Sequence, residues 1–173
     1  MDKIQQANTR FYLPPQRPRI VVAMTGATGA ILGIKCLLAL RRLNIETHLV
    51  MSKWAEATVK YEIDYHPSNV RALADHVHTI NDMAAPISSG SFHTHGMIVV
   101  PCSMKTLAAI HSGFSDDLIS RTADVMLKER RRLVLVTRET PMSEIRLRSM
   151  LEVTRAGAVI STCPGLLHQT WWC

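Results

Sequence analysis

Residues 19–30, with the sequence RIVVAMTGATGA, decide the fold of this chain. A β-branched, apolar run enters a turn that holds Gly26 and Gly29, and an apolar pattern of helical period follows at once. Glycines let a ligand approach the backbone closely, and the N–H groups that begin a helix can hold a phosphate together with the hydroxyls of Thr25 and Thr28. The spacing is neither GxGxxG nor that of a P-loop. The turn alone therefore leaves two interpretations open, a phosphate cradle or a tight connection that binds nothing.

The rest of the chain repeats this alternation of strand and helix. Strands are predicted at 20–24, 47–51, 97–101 and 133–137, and helices at 31–42, 54–62, 104–111, 117–131 and 143–156. The alternation predicts a single-domain, three-layer α/β fold, Rossmann-like or flavodoxin-like, with a parallel sheet covered by helices on both faces. Ligands bind such sheets outside the carboxyl ends of the strands, so the functional residues are expected in the loops that follow them.

Composition narrows the class of protein. A chain of 173 residues with 47% hydrophobic and 20% charged residues is typical of one soluble α/β domain. The net charge of +6 is spread along the chain and only 5% of the residues are aromatic, which argues against nucleic-acid binding and favours small anionic ligands. No apolar run reaches the roughly 20 residues of a membrane helix. The cysteines, Cys36, Cys102, Cys163 and Cys173, lack CxxC or zinc-type spacing, so neither a disulfide nor a metal is expected.

The first 18 residues are predicted to form a flexible extension. They are polar, they end in a proline-rich stretch, and they lack the apolar core of a signal peptide. The expected location is cytoplasmic. Mitochondrial targeting is the alternative, because this region contains several arginines and a single acidic residue, Asp2.

Polar and charged residues follow each of the four predicted strands. The turn TGATGA follows the first, Ser52 and Lys53 the second, residues 101–106 the third, and Arg138 with Glu139 the fourth. Taken singly, the serines are typical of helix N-caps and the last pair of a solvated surface. Because parallel strands bring their carboxyl ends to one edge, the set as a whole predicts an anionic, phosphate-bearing ligand.

Six blocks of the chain match one enzyme family in order and spacing. They are VAMTGATGA (22–30), HLVMSKWA (48–55), PISSGSF (86–92), MIVVPCSMKTLAAIHSG (97–113), RTADVMLKERRRLVLVTRETPMSEI (121–145) and LEVTRAGAVI (151–160). The PCSMKT and ADVxLKExRxLVLVxRE blocks are highly specific. On these residues the chain resembles the flavin prenyltransferases of the UbiX/Pad type, within the fold family of homo-oligomeric flavin-containing Cys decarboxylases. The resemblance covers residues 19–160.

The resemblance implies a transferase that works without a metal. Members bind FMN and join the dimethylallyl group of dimethylallyl phosphate or pyrophosphate to N5 and C6 of the reduced flavin. The product, prenylated FMN, passes to a UbiD-type decarboxylase of aromatic or phenylacrylic acids. The family also implies a homo-oligomer, from trimer to dodecamer, with sites that use residues of adjacent subunits.

The resemblance assigns residues to cofactor binding and to catalysis. Cofactor binding falls to Gly26, Ala27, Thr28, Ser52, Ser103, Met104, Lys105, Thr106 and Arg138. Catalysis falls to Glu62, Arg121, Lys128 and Glu139, and the cations among these, with Arg138, would hold the prenyl phosphate and assist its departure. Ser89 and Ser91 lie in the SSGSF loop of the family. Without the resemblance, the helical face that Arg121 and Lys128 share is interpreted as solvated surface. Residues 130–132 are interpreted as surface or subunit contact even with the resemblance.

The chain also departs from the family pattern. After residue 160 the family continues through a proline-rich segment with a tyrosine to a further helix that carries an arginine, whereas this chain reads STCPGLLHQTWWC, with His168 at the tyrosine position. Residues 161–173 are therefore interpreted as an atypical, truncated tail. His93 and His95 replace an arginine and an aspartate, and Arg146 replaces a histidine. Two alternating histidines without a third ligand nearby are more typical of solvent contact than of a metal site.

Three functions stay open at this point. The first is an active flavin prenyltransferase, which the phosphate-binding and flavin-binding positions favour. The second is an FMN-binding fragment with impaired catalysis, suggested by the atypical tail. The third is a direct flavin-dependent decarboxylase of phenylacrylic or peptidyl-cysteine substrates, against which Lys128 and Arg138 indicate a phosphate substrate.

Overall fold

The computed structural model describes residues 17–162, and within them six parallel strands form one sheet. The strands are β1 (Arg19–Met24), β2 (Glu46–Met51), β3 (His76–His78), β4 (Gly96–Cys102), β5 (Arg132–Thr137) and β6 (Val159–Thr162). Their order across the sheet is β3-β2-β1-β4-β5-β6. Each strand pairs in parallel with its neighbours, with Arg19 opposite Glu46 and Ile20 opposite Gly96. This is the strand order of a Rossmann fold.

Helices cover both faces of the sheet. They are α1 (Ala30–Arg42), α2 (Lys53–Glu62), α3 (Pro67–Arg71), α4 (Met104–Ser112), α5 (Leu118–Lys128) and α6 (Glu144–Arg155), and a 3-10 turn spans Pro86–Ser88. One core packs α1, α2 and α3 on one face of the sheet, and the other packs α4, α5 and α6 on the opposite face. The predicted three-layer α/β architecture is therefore confirmed.

The sequence of β1 explains why this strand lies at the centre. Val22 and Met24 belong to one core, Val21 and Ala23 belong to the other, and all four are fully buried. A strand that is apolar on both faces is stable only between two layers of helices. The continuous apolar run of residues 20–24 thus places β1 in the interior of the sheet.

The predicted elements agree with the structure to within a residue or two, with three omissions and one overlong helix. β3, β6 and the short helix α3 were not predicted. The helix predicted at 117–131 ends at Lys128, because Arg130 has a φ of 54°, in the left-handed region, and β5 starts at Arg132. The left-handed residue turns the chain from α5 into the sheet.

Most of the predicted extension and tail, including Cys163, His168 and Cys173, lies outside the described residues. The end of the extension contacts the domain: an Arg17 Nη1 donates to Asp75 Oδ1 at 3.1 Å, and the carbonyl oxygen of Pro18 accepts from the N–H of Glu46 at 2.8 Å. Between residues 17 and 162 no helix has the length and apolar character needed to cross a membrane.

The strand order reverses between β1 and β4. From β1 the chain proceeds outward through β2 and β3, and then returns to pair β4 with the other edge of β1. Ligands of parallel α/β sheets bind outside the carboxyl ends of the strands at this kind of reversal. The turn TGATGA after β1 and the segment PCSMKT at the end of β4 meet at this point.

Candidate functional site

Thr25 ties the turn after β1 to the end of β4. Its side chain is buried, and its Oγ1 donates to the carbonyl oxygen of Pro101 at 2.8 Å. Oγ1 of Thr25 also accepts from the N–H of Ser103 at 2.7 Å. The sequence grouped this hydroxyl with potential phosphate ligands. The structure gives it a scaffolding role, since it joins the two loops that face the ligand side of the sheet.

Replacing Thr25 by valine is expected to destabilise the fold by about 1–3 kcal/mol, because the buried bond to Pro101 is lost and the half-buried N–H of Ser103 loses its acceptor. Urea unfolding measures this loss directly. Thr28→Val is the matched control, because Thr28 carries the same side chain in an exposed position and its replacement should change the free energy of unfolding by less than about 0.5 kcal/mol. Equal stability of the two variants would contradict the scaffolding role.

The start of α1 forms an anion-binding position. Gly29 is the N-cap residue, with a φ of 98°, in the left-handed region that favours glycine. The N–H groups of Gly29 and Ala30 donate to Glu62 Oε2 at 2.8 and 3.0 Å. Helix N-termini attract negative charge through these donors and the helix dipole. Glu62, the last residue of α2, thus places its carboxylate where an anion is favoured.

Arg138 brings a positive charge to the same position. It follows β5, yet a Cβ atom built on Gly29 would lie 3.8 Å from both Cδ and an Nη1 of Arg138. Because β4 lies between β1 and β5, the side chain of Arg138 reaches across the end of β4. The half-buried guanidinium and the backbone donors of α1 together suit a phosphate group.

A cleft of about 490 Å³ opens at the turn after β1, where Thr25 and Gly26 line it. Its volume is within the range of about 300–1,000 Å³ that is usual for ligand and cofactor sites. Five of the predicted cofactor residues line it: Gly26, Ser52, Ser103, Lys105 and Thr106. The loops after β1, β2 and β4 thus meet around one space, as the positions of polar residues at the strand ends predicted.

Ser52 and Ser103 begin two further helices that face the cleft. The Oγ of Ser52 accepts from the N–H of Ala55 at 3.0 Å, and that of Ser103 accepts from the N–H of Thr106 at 3.3 Å. Both serines are therefore N-caps, which is the alternative that the sequence left open for them. The cap role and a ligand contact are compatible, because both residues also line the cleft.

Sequence reasoning missed several residues of this cleft. A Cβ atom on Gly26 would collide with the Cβ of Trp54, so Trp54 packs directly against the glycine turn. Most of the Trp54 side chain is nevertheless exposed. Asp116 and Asp117 close the opposite wall. Asp117 carried a readable signal, since it forms a capping box with Ser120 at the start of α5.

A second group of predicted residues lies along α5 and the SSGSF loop. Arg121 Nε donates to the carbonyl oxygen of Ser88 at 3.1 Å, and an Nη1 of the same residue donates to Asp124 Oδ2 at 3.2 Å. Lys128 is exposed and lies 3.8 Å from Glu129 Oε1. Ser89 and Ser91 hydrogen bond to each other through their hydroxyls at 2.8 Å. Arg121 and Lys128 thus share a region of the protomer with this loop, whereas Arg138 and Glu62 meet at Gly29.

Arg131 anchors the same loop. An Nη1 donates to the carbonyl oxygen of Phe92 at 2.9 Å, and an Nη2 donates to that of Gly90 at 2.5 Å. The interpretation of residues 130–132 as surface or subunit contact is therefore incomplete for Arg131. Its guanidinium holds the backbone of the SSGSF loop within the protomer.

The residues that depart from the family pattern have local partners. Glu139 forms an ion pair with Arg146, which lies near the start of α6. His95 Nδ1 accepts from the N–H of Arg19 at 3.1 Å, and the rings of His93 and His95 meet edge to face at 5.4 Å. His95 therefore supports the start of β1, and Arg146 contacts a predicted catalytic carboxylate.

Cys102 lies beside the cleft and is fully buried at the end of β4. Burial raises the pKa of its thiol to about 12. The thiolate is the nucleophilic form of cysteine, so this side chain is protonated and packed as part of the core.

The Flavoprotein family model matches residues 12–169. Over 159 residues, 91% of this chain and 66% of the relative, the chain is 58% identical to the mitochondrial flavin prenyltransferase PAD1 of Saccharomyces cerevisiae. The chain therefore spans slightly less than two thirds of the length of that protein.

Two solved structures share the fold closely. The structure of AnUbiX (PadA1) in complex with FMN and dimethylallyl pyrophosphate is 87% identical, with a TM-score of 0.83, over 84% of this chain and 77% of that one. The dodecameric FMN-dependent UbiX-like decarboxylase of Escherichia coli O157:H7 is 53% identical, also with a TM-score of 0.83, over 89% of this chain and 85% of that one. The glycine turn, the cleft and the six strands described above lie within residues 12–169, which the family model matches.

Proposed function

We propose that this chain, which belongs to the flavoprotein family and to its UbiX-like branch, is a flavin prenyltransferase. It transfers the dimethylallyl group of dimethylallyl phosphate or pyrophosphate to FMN, and the prenylated FMN serves a UbiD-type decarboxylase. The observation that carries this proposal is the meeting of Arg138, Glu62 and the backbone donors of α1 at Gly29. The helix start suits the phosphate of FMN, and the cation beside it suits a substrate that carries and releases phosphate.

The residues present fit FMN. Gly26 lines the cleft, Gly29 takes a left-handed conformation beside Arg138, and the start of α1 supplies N–H donors for a phosphate. FMN would be held by the nine residues that the resemblance assigned to it: Gly26, Ala27, Thr28, Ser52, Ser103, Met104, Lys105, Thr106 and Arg138. When bound in its reduced form, FMN supplies the N5 and C6 atoms that accept the dimethylallyl group.

The side chains of the chain itself act on the leaving phosphate. As the bond between the dimethylallyl carbon and the phosphate oxygen breaks, the electron pair leaves with the phosphate, and a guanidinium such as that of Arg138 binds the more negative group more strongly. Glu139, which follows Arg138 and forms an ion pair with Arg146, would accept or deliver a proton. Glu62 would leave the donors of Gly29 and Ala30 when the phosphate of FMN takes its place.

Arg121 and Lys128 complete the site from a second copy of the chain. Within the protomer they contact Ser88, Asp124 and Glu129, in the region of the SSGSF loop. Within residues 17–162, the residues that line the cleft of the same protomer do not include Arg121 or Lys128, which supports their contribution to the cleft of a neighbouring subunit. The dodecameric assembly of the Escherichia coli relative supports a homo-oligomer of this kind.

The test is anaerobic incubation of the purified protein with reduced FMN and either dimethylallyl phosphate or dimethylallyl pyrophosphate, followed by mass spectrometry of the flavin. A flavin heavier by one C5H8 unit is expected, and the more productive donor identifies the substrate. Bound FMN that stays unmodified with both donors would overturn the proposal. Decarboxylation of a cinnamic-type acid by the protein with FMN alone would identify a direct decarboxylase instead.

The recipient is tested separately. The reaction mixture is filtered and added to a UbiD-type decarboxylase prepared without cofactor, and loss of carbon dioxide from a phenylacrylic acid is measured. Activation that depends on both the flavin and the prenyl donor is expected. Activation by FMN without the prenyl donor would exclude the role proposed for the prenylated product.

A further inference from the structure

A cluster of histidines lies on the first residues of β2 and on β3, whereas the cleft lies beyond the carboxyl ends of the strands. We name it the Glu–His cluster and define it as Glu46, His48, His76 and His78. Glu46 and His48 belong to β2, and His76 and His78 belong to β3, the neighbouring edge strand, with His48 directly opposite His76. Residues two apart on a strand face the same side, so the four side chains gather on one face of the sheet.

The spacing of three donor atoms in this cluster is that of metal ligands. Glu46 Oε1 lies 3.2 Å from His48 Nε2 and 3.4 Å from His76 Nε2, and all three atoms lie within 4.8 Å of one another. For a tetrahedral ion with bonds of about 2.0–2.1 Å, the ligand atoms are about 3.3–3.4 Å apart. The two distances from Glu46 match this value.

His48 also has the outer partner that metal-bound histidines usually have. It is buried, and its Nδ1 lies 3.0 Å from His78 Nε2. In the tautomer that donates from Nδ1 to His78, the Nε2 lone pair of His48 faces Glu46. Hydrogen bonds of this kind fix the ring and the tautomer of a metal ligand.

Arg19 is the cation that this position now holds. Its Nε donates to Glu46 Oε1 at 2.9 Å, and its guanidinium lies over the ring of Phe92 at 4.9 Å from the centroid. A divalent ion at Glu46 would compete with this guanidinium for the same oxygen. The charge of Arg19 therefore weakens metal binding without blocking it, since the side chain can retain its contact with Phe92.

We propose that Glu46, His48 and His76 form a binding site for a borderline divalent transition metal such as Zn²⁺, with His78 as the outer partner of His48. The rings of His48 and His76 stack at 4.6 Å with 24° between their planes, so binding requires the His76 ring to turn toward the ion. His76 can do so because 53% of its side chain is exposed. Neither the spacing of the cysteines nor the pair His93 and His95 pointed to this cluster, because its ligands come from two segments of the sequence.

The site is structural and independent of the flavin. An ion held by residues of both β2 and β3 would join the three-residue edge strand to the body of the sheet. A ligand that binds only the folded state stabilises it by mass action. The metal is therefore expected to raise the resistance of the chain to unfolding without taking part in prenyl transfer.

The test uses the full chain, freed of metal by a chelator and titrated with Co²⁺, whose visible spectrum reports coordination, and with Zn²⁺ by calorimetry. We expect one ion bound per chain at this site and a rise in the thermal unfolding midpoint with Zn²⁺. His76→Gln should lower the affinity at least about tenfold, since one of three protein ligands is lost. Arg19→Gln should raise the affinity, because a competing cation is removed.

The matched control is His66→Gln, because His66 is an exposed histidine that caps α3 away from the cluster. It should bind the metal as the unchanged protein does. Equal binding by His76→Gln and the unchanged protein would overturn the proposal, as would the absence of any binding at micromolar metal. Retained FMN binding in every variant keeps this result separate from the test of the proposed function.

Discussion

Replacing Arg138 by alanine is expected to lower kcat/KM for prenyl transfer by about 100- to 1000-fold, the loss that follows removal of one preorganised group at developing negative charge. The guanidinium lies beside Gly29, at the start of α1, where a phosphate is favoured. Its removal leaves the developing charge of the leaving phosphate without this cation. Single-turnover formation of the modified flavin, followed by mass spectrometry, measures the loss.

Two further variants serve as controls for the effect of Arg138→Ala. Arg132→Ala removes an exposed arginine from the opposite end of the same strand, β5, and should leave the rate within about twofold. Arg138→Lys should recover only part of the activity, because an ammonium group cannot form the paired hydrogen bonds of a guanidinium. A similar loss in Arg132→Ala and Arg138→Ala would show that the effect comes from the general charge of the protein.

Gly29→Ala is expected to weaken FMN binding at least about tenfold, the second large effect. Gly29 has a φ of 98°, and an L-residue with a side chain adopts this conformation at a cost of about 1–2 kcal/mol. The turn relieves this strain by rotating, which changes the direction of the N–H groups that donate to Glu62. Fluorescence quenching of FMN on titration with the protein gives the dissociation constant.

Gly113→Ala separates strain from ligand binding. Gly113 follows α4 with a φ of 69° and no atom within 4 Å of an added Cβ, so its variant carries the same kind of backbone strain in open space. Both variants should lose about 1–2 kcal/mol of stability in urea unfolding. Only Gly29→Ala should lose affinity for FMN, and equal affinity in the two variants would contradict the assignment of the α1 start to the flavin site.

The sequence was sufficient to predict the four central strands of the sheet but not the two strands at its edges. The apolar runs of β1, β2, β4 and β5 give a strong signal because these strands are buried on both faces. β3 has three residues, HVH, and β6 has four, with Val159 partly exposed. Edge strands of this length bury too little apolar surface to produce a pattern that can be read from one sequence.

The loops that form the candidate site could be predicted from the sequence, but the hydrogen bonds between their residues could not. The positions of TGATGA, Ser52, PCSMKT and Arg138 after predicted strands were sufficient to place them at one edge. The contacts of Thr25 with Pro101 and Ser103, and of Glu62 with Gly29, depend on which strands are neighbours. Strand order is set by the packing of the whole sheet, so these pairs became visible only in three dimensions.

The position of β1 at the centre of the sheet has a consequence for the order in which the chain folds. During synthesis β1, β2 and β3 can associate first, but one edge of β1 stays unpaired until residues 96–102 emerge as β4. Thr25 meets its partners only then, and Arg138 arrives later still. The anion site is therefore among the last features to be completed. Capture of FMN would mark the end of folding, after the pairing of β4 with β1 has closed an apolar strand edge that is open to aggregation until then.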